Sequence, residues 1–410
     1  MDEHNTKVKA VKFAHLYTNV ARIHGATKVL LMFSTYLEKA GHQSVIVCNS
    51  FTLSPPFWFQ GEIKTLFKGN QEVTEKSGLR KLIYILGQVI WAIFLPIKIP
   101  RDVDCIVIHG EGSQYAMPVV KIFFFRKPLI YYCYQPPREL YDLKDFSKEA
   151  YGLWYSIFSP LFALHKWLHR IIVRMSWAIL GWSDYTNQYA QKIYGPHHYH
   201  VVPAGIDFEP FEKEWRNPKK SQALKNSLGL KTETVLLMNA SLTLKKNIPI
   251  LFNAMALLQE KGFEIHGLII GEGPEENNLL CLAEELDILK KVTLLGYVSQ
   301  EDLPLYYFIS DILCFLEPRG LWTMSVPEAG AARKPVIAEG GGSLPTLVQD
   351  GKTGFLLTEG NRAEMLAEKV EWLIHHPVEA KAMGEANYRH VQKFSEPLCI
   401  QSFLNIFKLS

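Results

Sequence analysis

Short, nearly uncharged apolar runs of strand length recur along the chain, each followed by a segment of helical periodicity. In the second half they are Val235 to Ala240, His266 to Gly271, Val292 to Gly296, Asp311 to Leu316 and Pro335 to Ala338. A strand that is apolar on both faces must be covered on both faces, the condition of a parallel sheet flanked by helices. The first half repeats the pattern with strands expected at Val8 to Tyr17, after Gly41-His42, up to His109 and up to Cys133, and a helix over Lys28 to Ala40. The expected fold class is therefore α/β. At 410 residues the chain exceeds one typical core, and 48% apolar residues are enough for two.

The two halves differ in charge. Residues 1–205 hold 23 Lys/Arg against 14 Asp/Glu (+9), and residues 206–410 hold 21 against 27 (−6). The basic half is expected to meet an anionic or membrane-associated partner, if there is one. The apolar run Leu82 to Ile97 is shorter than a membrane-spanning helix requires and contains Gly87, Gln88 and Pro96, so a core or interfacial helix is expected. Trp154 to Trp182 mixes His165, Lys166, His169, Arg170 and Arg174 with Leu, Ile and Trp. It reads equally as a helix on a bilayer surface or as one packed on its own domain. Six dispersed cysteines without a C-x-x-C suit reduced, buried thiols in a cytosolic protein, and no signal peptide is visible.

The candidate site centres on Glu317 to Gly342, read as a loop, a short helix carrying Glu328 just after Pro327, the strand Pro335 to Ala338, and three glycines. Loops at the carboxyl ends of parallel strands line ligand crevices, and helix N-termini there offer N–H groups to anions. A carboxylate at such a helix start accepts from sugar hydroxyls or caps the helix. Upstream, Ser241 to Asn247 leads into a helix at Pro249 to Gln259, where Lys245 and Lys246 suit a diphosphate beside the helix N-terminus. Gly271, Gly273 and Gly296 close strands and are expected to let backbone approach a ligand. Gly25 marks a similar strand-to-helix turn in the first half. His109 ends a strand and reads as either an acid/base or a satisfied turn histidine. Asp102 and Asp104 precede their strand, and His197, His198 and His200 lack an acidic or cysteine partner, so no metal site is expected. Residues 209–232 are charged and read as a linker-like leader.

Glu317-Pro-Arg-Gly-Leu with Glu328, the Gly271-Glu-Gly-Pro and Gly296-Tyr-Val turns, Lys246, the run Val201 to Phe211 and Asp350-Gly-Lys-Thr-Gly-Phe together resemble the donor-site signature of retaining glycosyltransferases of family 4 (group 1). The likeness extends over most of the chain. It implies the GT-B fold, two Rossmann-like domains facing across a cleft: an acceptor-side domain 1–208, a nucleotide-sugar-binding domain 209–393, and a helix 394–410 returning to the first. It implies transfer of a hexose, mannose being one candidate, from a UDP- or GDP-sugar to a glycan or polyprenyl-linked acceptor. No metal or other cofactor and no nucleic acid is implied, and the expected place is the cytoplasm or the cytoplasmic face of a membrane.

By the same resemblance, His109, Lys246 and Glu328 carry catalysis. The donor contacts are Gly25, Ser241, Lys245, Lys246, Gly271, Gly273, Tyr297, Val298, Glu317, Gly320, Leu321, Glu328 and Gly341, and Tyr134, Gln135 and Arg138 lie on the acceptor side. Glu328 is preferred over Glu317 as the ribose-binding carboxylate. The chain departs from the family pattern in four places. One glycine stands where the family has a pair at Gly25, Ser241 stands in place of an arginine, Gly320 stands eight residues before Glu328 in place of a glutamate, and Tyr134 and Gln135 replace a histidine. The departures at Ser241, Gly320 and Tyr134/Gln135 raise one alternative, a catalytically silent GT-B partner or binding protein; a second alternative is a sugar-nucleotide epimerase.

Overall fold

The computed structural model describes residues 10–20, 25–51, 61–66, 87, 90–110, 112–137, 141, 159–231, 233–318, 320, 322–358 and 360–407. The chain divides into two units, Met1–Gly205 with Cys399–Ser410, and Ile206–Leu398. Together they form a two-domain α/β GT-B fold.

Among the described residues the first unit carries a seven-stranded sheet built from β1 (Lys12–Val20), β2 (Gln43–Phe51), β3 (Glu62–Thr65), β4 (Cys105–His109), β5 (Leu129–Tyr132), β6 (Ala178–Gly181) and β7 (Tyr199–Val201). Its order is β3-β2-β1-β4-β5-β6-β7, every pairing parallel. Alternate strand residues Ala14, Leu16, Val45, Val47, Ile106, Ile108, Leu129 and Tyr131 share one buried cluster with Ala92, Leu95, Met117, Val120, Val173, Ala190 and Ile193, so four helical segments, the last of them Asp184–Tyr194, cover that face. The intervening residues pack toward the helix Gly25–Lys39 and the chain's last helix, where Phe13 and Phe33 meet Phe403 and Phe13 also meets Phe407.

The second unit carries, among the described residues, a six-stranded parallel sheet of β8 (Thr234–Asn239), β9 (Ile265–Ile270), β10 (Val292–Leu294), β11 (Ile312–Phe315), β12 (Val336–Glu339) and β13 (Gly354–Leu357). Its order is β10-β9-β8-β11-β12-β13. Leu236, Met238 and Ile269 face the helices Ile248–Glu260 and Arg362–His375, while Leu237, Leu268, Leu313 and Phe315 face Leu303–Ile309 and Ser325–Ala331. Strand order reverses between β8 and β11 here, and between β1 and β4 in the first unit. Such reversals leave a crevice at the carboxyl ends of the two diverging strands.

Several sequence expectations are corrected. The supposed leader 209–232 contains two helices, Glu209–Arg216 and Lys219–Ser227, because Phe211 is buried against Tyr307 beneath an outer charged face. The units divide at Gly205/Ile206 and Leu398/Cys399, since Ile206 and Phe211 belong to the second core while Phe403 belongs to the first. The first strand runs over Lys12–Val20, further along than Val8 to Tyr17. Five cysteines are buried and Cys281 is exposed.

Candidate functional site

The loop leaving β8 is fixed by the chain's own backbone. Ala240 N–H donates to the Ile270 carbonyl (2.9 Å), Leu242 N–H to that of Glu272 (3.0 Å), and Glu275 N–H to that of Leu242 (3.1 Å). Gly271 has a φ of +137°, and a Cβ there would stand 2.1 Å from the Ala240 oxygen, while one on Gly273 would stand 2.2 Å from the Leu242 oxygen. The close approach anticipated at both glycines is thus made by the loop Ala240–Leu242. The glycines set that loop's path, and the path sets where the lysines fall.

Those lysines lie on a 3₁₀ turn, Leu244–Lys246, that runs into the helix Ile248–Glu260. Asn247 joins the two in the left-handed conformation (φ 51°, ψ 35°) and gives the helix no side-chain cap. Its Nδ2 donates instead to the Leu316 carbonyl (3.1 Å), tying the helix start to the end of β11. Beside that bond the Lys246 ammonium is paired with the Glu317 carboxylate, both side chains mostly buried, and Nζ lies 5.8 Å from the centre of the Phe315 ring. Lys246 and Glu317 therefore meet at the β8/β11 reversal, with the helix N-terminus beside them. This geometry supports a reversible anion site: the ammonium is pre-positioned, and its present partner is a carboxylate that a phosphate resembles in charge.

Glu328 has a different environment. It sits in the first turn of Ser325–Ala331 and is 2% exposed. Its Oε2 accepts from Tyr307 Oη (2.7 Å), and Asn239 Nδ2 donates to that hydroxyl at 3.1 Å while lying 3.5 Å from the carboxylate. Burial, then the Glu328 charge, hold the Tyr307 phenol well above the usual tyrosine range, so it remains a donor. Ser325 Oγ donates to the Asn239 carbonyl (3.0 Å). Gly330 lets this helix dock closely, since a Cβ there would stand 2.6 Å from Val391. Glu328 is thus anchored to the last residue of β8, and Glu317, the less favoured carboxylate in the sequence, is the one that meets Lys246.

The remaining donor-side candidates are scattered in exposure. Ser241, Lys245 and Tyr297 are exposed, Val298 is buried, and Gly341 is half-buried. Gly320 is buried and its carbonyl accepts from Ser343 N–H (2.8 Å). Gly25 is the exposed first residue of its helix, with open space within 4 Å of where a Cβ would stand. Leu321 and Arg138 lie outside the described residues.

His109 is fully buried at the end of β4. Its Nε2 lies 2.9 Å from His15 Nδ1 and its Nδ1 lies 2.7 Å from Tyr134 Oη. Burial, then the neighbouring His15, push its pKa well below the ordinary value, and burial alone takes His15 to about 3. With both ring nitrogens engaged, His109 presents neither to a ligand in this arrangement. Tyr134 is buried within the same network and stacks on Trp182, whereas Gln135 is exposed. His42 accepts from Val11 N–H (3.1 Å), and Asp104 and Asp102 hold the backbone and side chain of Lys12. Among the described residues no three His, Cys, Asp or Glu side chains gather in a metal-binding group.

Sequence reading missed Asn239, Tyr307 and His15. A polar residue closing the apolar run Thr234–Asn239 was the available signal for the first.

The profile described as "Glycosyl transferases group 1" matches residues 220–390, and that described as "Glycosyltransferase Family 4" matches 23–210. The chain belongs to the group 1 glycosyltransferases. The alpha-monoglucosyldiacylglycerol synthase of Acholeplasma laidlawii is 29% identical over 176 residues, 43% of this chain and 43% of that one. A GDP-mannose-dependent alpha-(1-6)-phosphatidylinositol monomannoside mannosyltransferase of Mycolicibacterium smegmatis is 27% identical over 217 residues, 51% of this chain and 55% of that one. The chain spans about half the length of the curated relatives it matches. Among solved structures, Anabaena Alr3699/HepE in complex with UDP superposes with a TM-score of 0.71 at 18% identity, covering 98% of this chain and 100% of that one. At that identity the likeness speaks for the GT-B fold of this group 1 glycosyltransferase.

Proposed function

We propose that this group 1 glycosyltransferase moves a hexose from a UDP- or GDP-sugar to a glycan or lipid-linked acceptor, with retention at the anomeric carbon and without a metal. The observation that carries the reading is the placement of Lys246, held by Glu317 at an uncapped helix start where the strand order reverses. In the reaction the bond from the anomeric carbon to the diphosphate oxygen breaks. The acceptor oxygen bonds to that carbon from the same face, and its proton passes to the leaving diphosphate. The Lys246 ammonium and the positive end of the helix Ile248–Glu260 stabilise the charge that develops on the leaving group, the step that dominates such a barrier. Glu328, anchored by Tyr307 and Asn239, stands as the carboxylate for ribose hydroxyls. The names of the two relatives above, a monoglucosyldiacylglycerol synthase and a phosphatidylinositol monomannoside mannosyltransferase, support a lipid-linked acceptor. The excess of Lys and Arg in residues 1–205 supports its handling by the first unit, at the cytoplasmic face of a membrane.

The test is a panel of UDP- and GDP-sugars read by thermal unfolding, since a donor at 100 times its Kd adds about 3 kcal/mol of stability. A shift with one donor, followed by turnover of that donor with a lipid-linked acceptor, is the expected result. A second reading, a silent binding protein, draws on Ser241 standing exposed where the family has an arginine. It predicts no turnover and weak or absent nucleotide binding, so the absence of a shift with any nucleotide sugar overturns the transferase and favours this second reading.

A further inference from the structure

We infer that one face of the first unit is a docking surface for an anionic lipid bilayer, built from three helical segments together. Residues 90–98, the helix Met117–Phe123 with the turn after it, and the helix Ser159–Arg174 cover the same face of the sheet, as their shared buried cluster requires. Having buried one side each, they turn apolar residues outward as well. On the last helix Leu164, Trp167, Leu168 and Ile171 are exposed at a spacing of i, i+3, i+4 and i+7, a second stripe on a helix already anchored through His169 and Val173. Ile97 and Ile122 are each 71% exposed, Phe125 67% and Trp167 58%. Solvated helices of a monomer do not ordinarily carry such stripes side by side, and an apolar patch of this extent marks an interaction surface.

Charge selects the partner. Residues 90–101, 117–127 and 159–174 contain two, three and three Lys/Arg, eight in all, and no Asp or Glu. The Arg101 guanidinium lies 5.9 Å from the centre of the Phe123 ring and that of Arg126 lies 5.3 Å from Phe125, cations beside outward aromatic rings. Asp102, next in sequence to Arg101, is spent on Lys12 (2.7 Å). Aromatic and aliphatic tips with flanking cations match the boundary between acyl chains and anionic headgroups. Among the described residues no helix is long and apolar enough to cross a membrane, so this surface lies on the bilayer. The inference rests on the transferase reading only in that a lipid-linked acceptor gives the surface its use.

Co-sedimentation of the full chain with vesicles tests it without any donor, so that its failure and that of the transferase reading are separate results. The chain is expected to pellet with phosphatidylcholine vesicles containing one-third phosphatidylglycerol, to stay in solution with phosphatidylcholine alone, and to be released by salt. Replacing Ile97, Phe123 and Trp167 together by Asp abolishes pelleting, with circular dichroism confirming the fold. Should that variant unfold, Arg126→Glu and Arg170→Glu take its place, each lowering the partition coefficient about fivefold or more. A chain that stays in the supernatant with anionic vesicles at low salt overturns the inference, as do variants that bind like the parent. So does a lipid-free dimer that the triple variant abolishes, which reassigns the face to contact between copies.

Discussion

The Lys246 ammonium is paired with the Glu317 carboxylate across the ends of β8 and β11, two adjacent strands whose following loops are 71 residues apart in the chain. On the proposed reading, an incoming diphosphate and Glu317 compete for one cation. Lys246→Ala is expected to lower turnover by ~10² or more through loss of leaving-group stabilisation. Glu317→Gln removes a like charge from beside the diphosphate, so titration calorimetry should show UDP or GDP binding tightened severalfold. Weaker nucleotide binding in that variant would show that the carboxylate only positions Lys246.

Glu328 holds two donors in a buried setting. Glu328→Ala leaves the Tyr307 hydroxyl without its carboxylate and is expected to cost about 1–3 kcal/mol of stability in denaturant unfolding. Tyr307→Phe in the Glu328→Ala background should cost little more, because the two act as a pair. An additive double mutant would mean that the hydroxyl is satisfied elsewhere.

The two glycine classes separate structure from ligand contact. Gly271→Ala is strained by its positive φ and drives a methyl into the Ala240 carbonyl, so a loss of several degrees in Tm is expected. Gly25→Ala meets open space and should leave Tm unchanged. A fall in donor affinity in Gly25→Ala then reports on the ligand directly, and an unaltered affinity removes Gly25 from the donor site.

Acid sensitivity follows from the buried histidines. Burial takes His15 and His169 from 6.5 to about 3 in the folded chain, with His165 adding to the effect at His169, and His109 is lowered as well. Above pH 6.5 these residues are neutral whether folded or unfolded and add no pH dependence. Below it the unfolded chain binds protons that the folded chain refuses, so stability falls as pH drops from 6.5 toward 3, by about 1.4 kcal/mol per pH unit for each histidine. Urea unfolding at pH 7 and pH 5 measures the slope, and equal midpoints would contradict this burial.

The strands were legible because a parallel strand covered on both faces has no need of alternation, and its apolar run stands out between charged helices. The lysines before Ile248 were legible as well, since a cation at a helix start runs against the dipole. The partners were not. Glu328 meets residues 21 and 89 positions away, and His109 meets His15 across 94, distances set by strand order that composition does not carry. The spacing of Glu317 to Glu328 departs from the family pattern, yet the Asn247–Leu316 bond brings its loop to Lys246 regardless of that count. The helices over 209–227 are hidden in the sequence because most of their charges face outward, while their buried side is marked only by Phe211, the partly buried Leu224 and two polar residues, Glu214 and Ser221, that pair with each other.

Phe403 closes against Phe13 and Phe33, so the core around β1 is completed by a side chain that follows the whole second unit in sequence. During synthesis the ribosome must release all of Ile206–Leu398 before that aromatic plug is available. The middle of the chain can reach its native state while still tethered, and the portion made first must wait the longest. Nascent-chain arrest before Cys399 should therefore leave a protease-sensitive amino-terminal half beside a resistant later one.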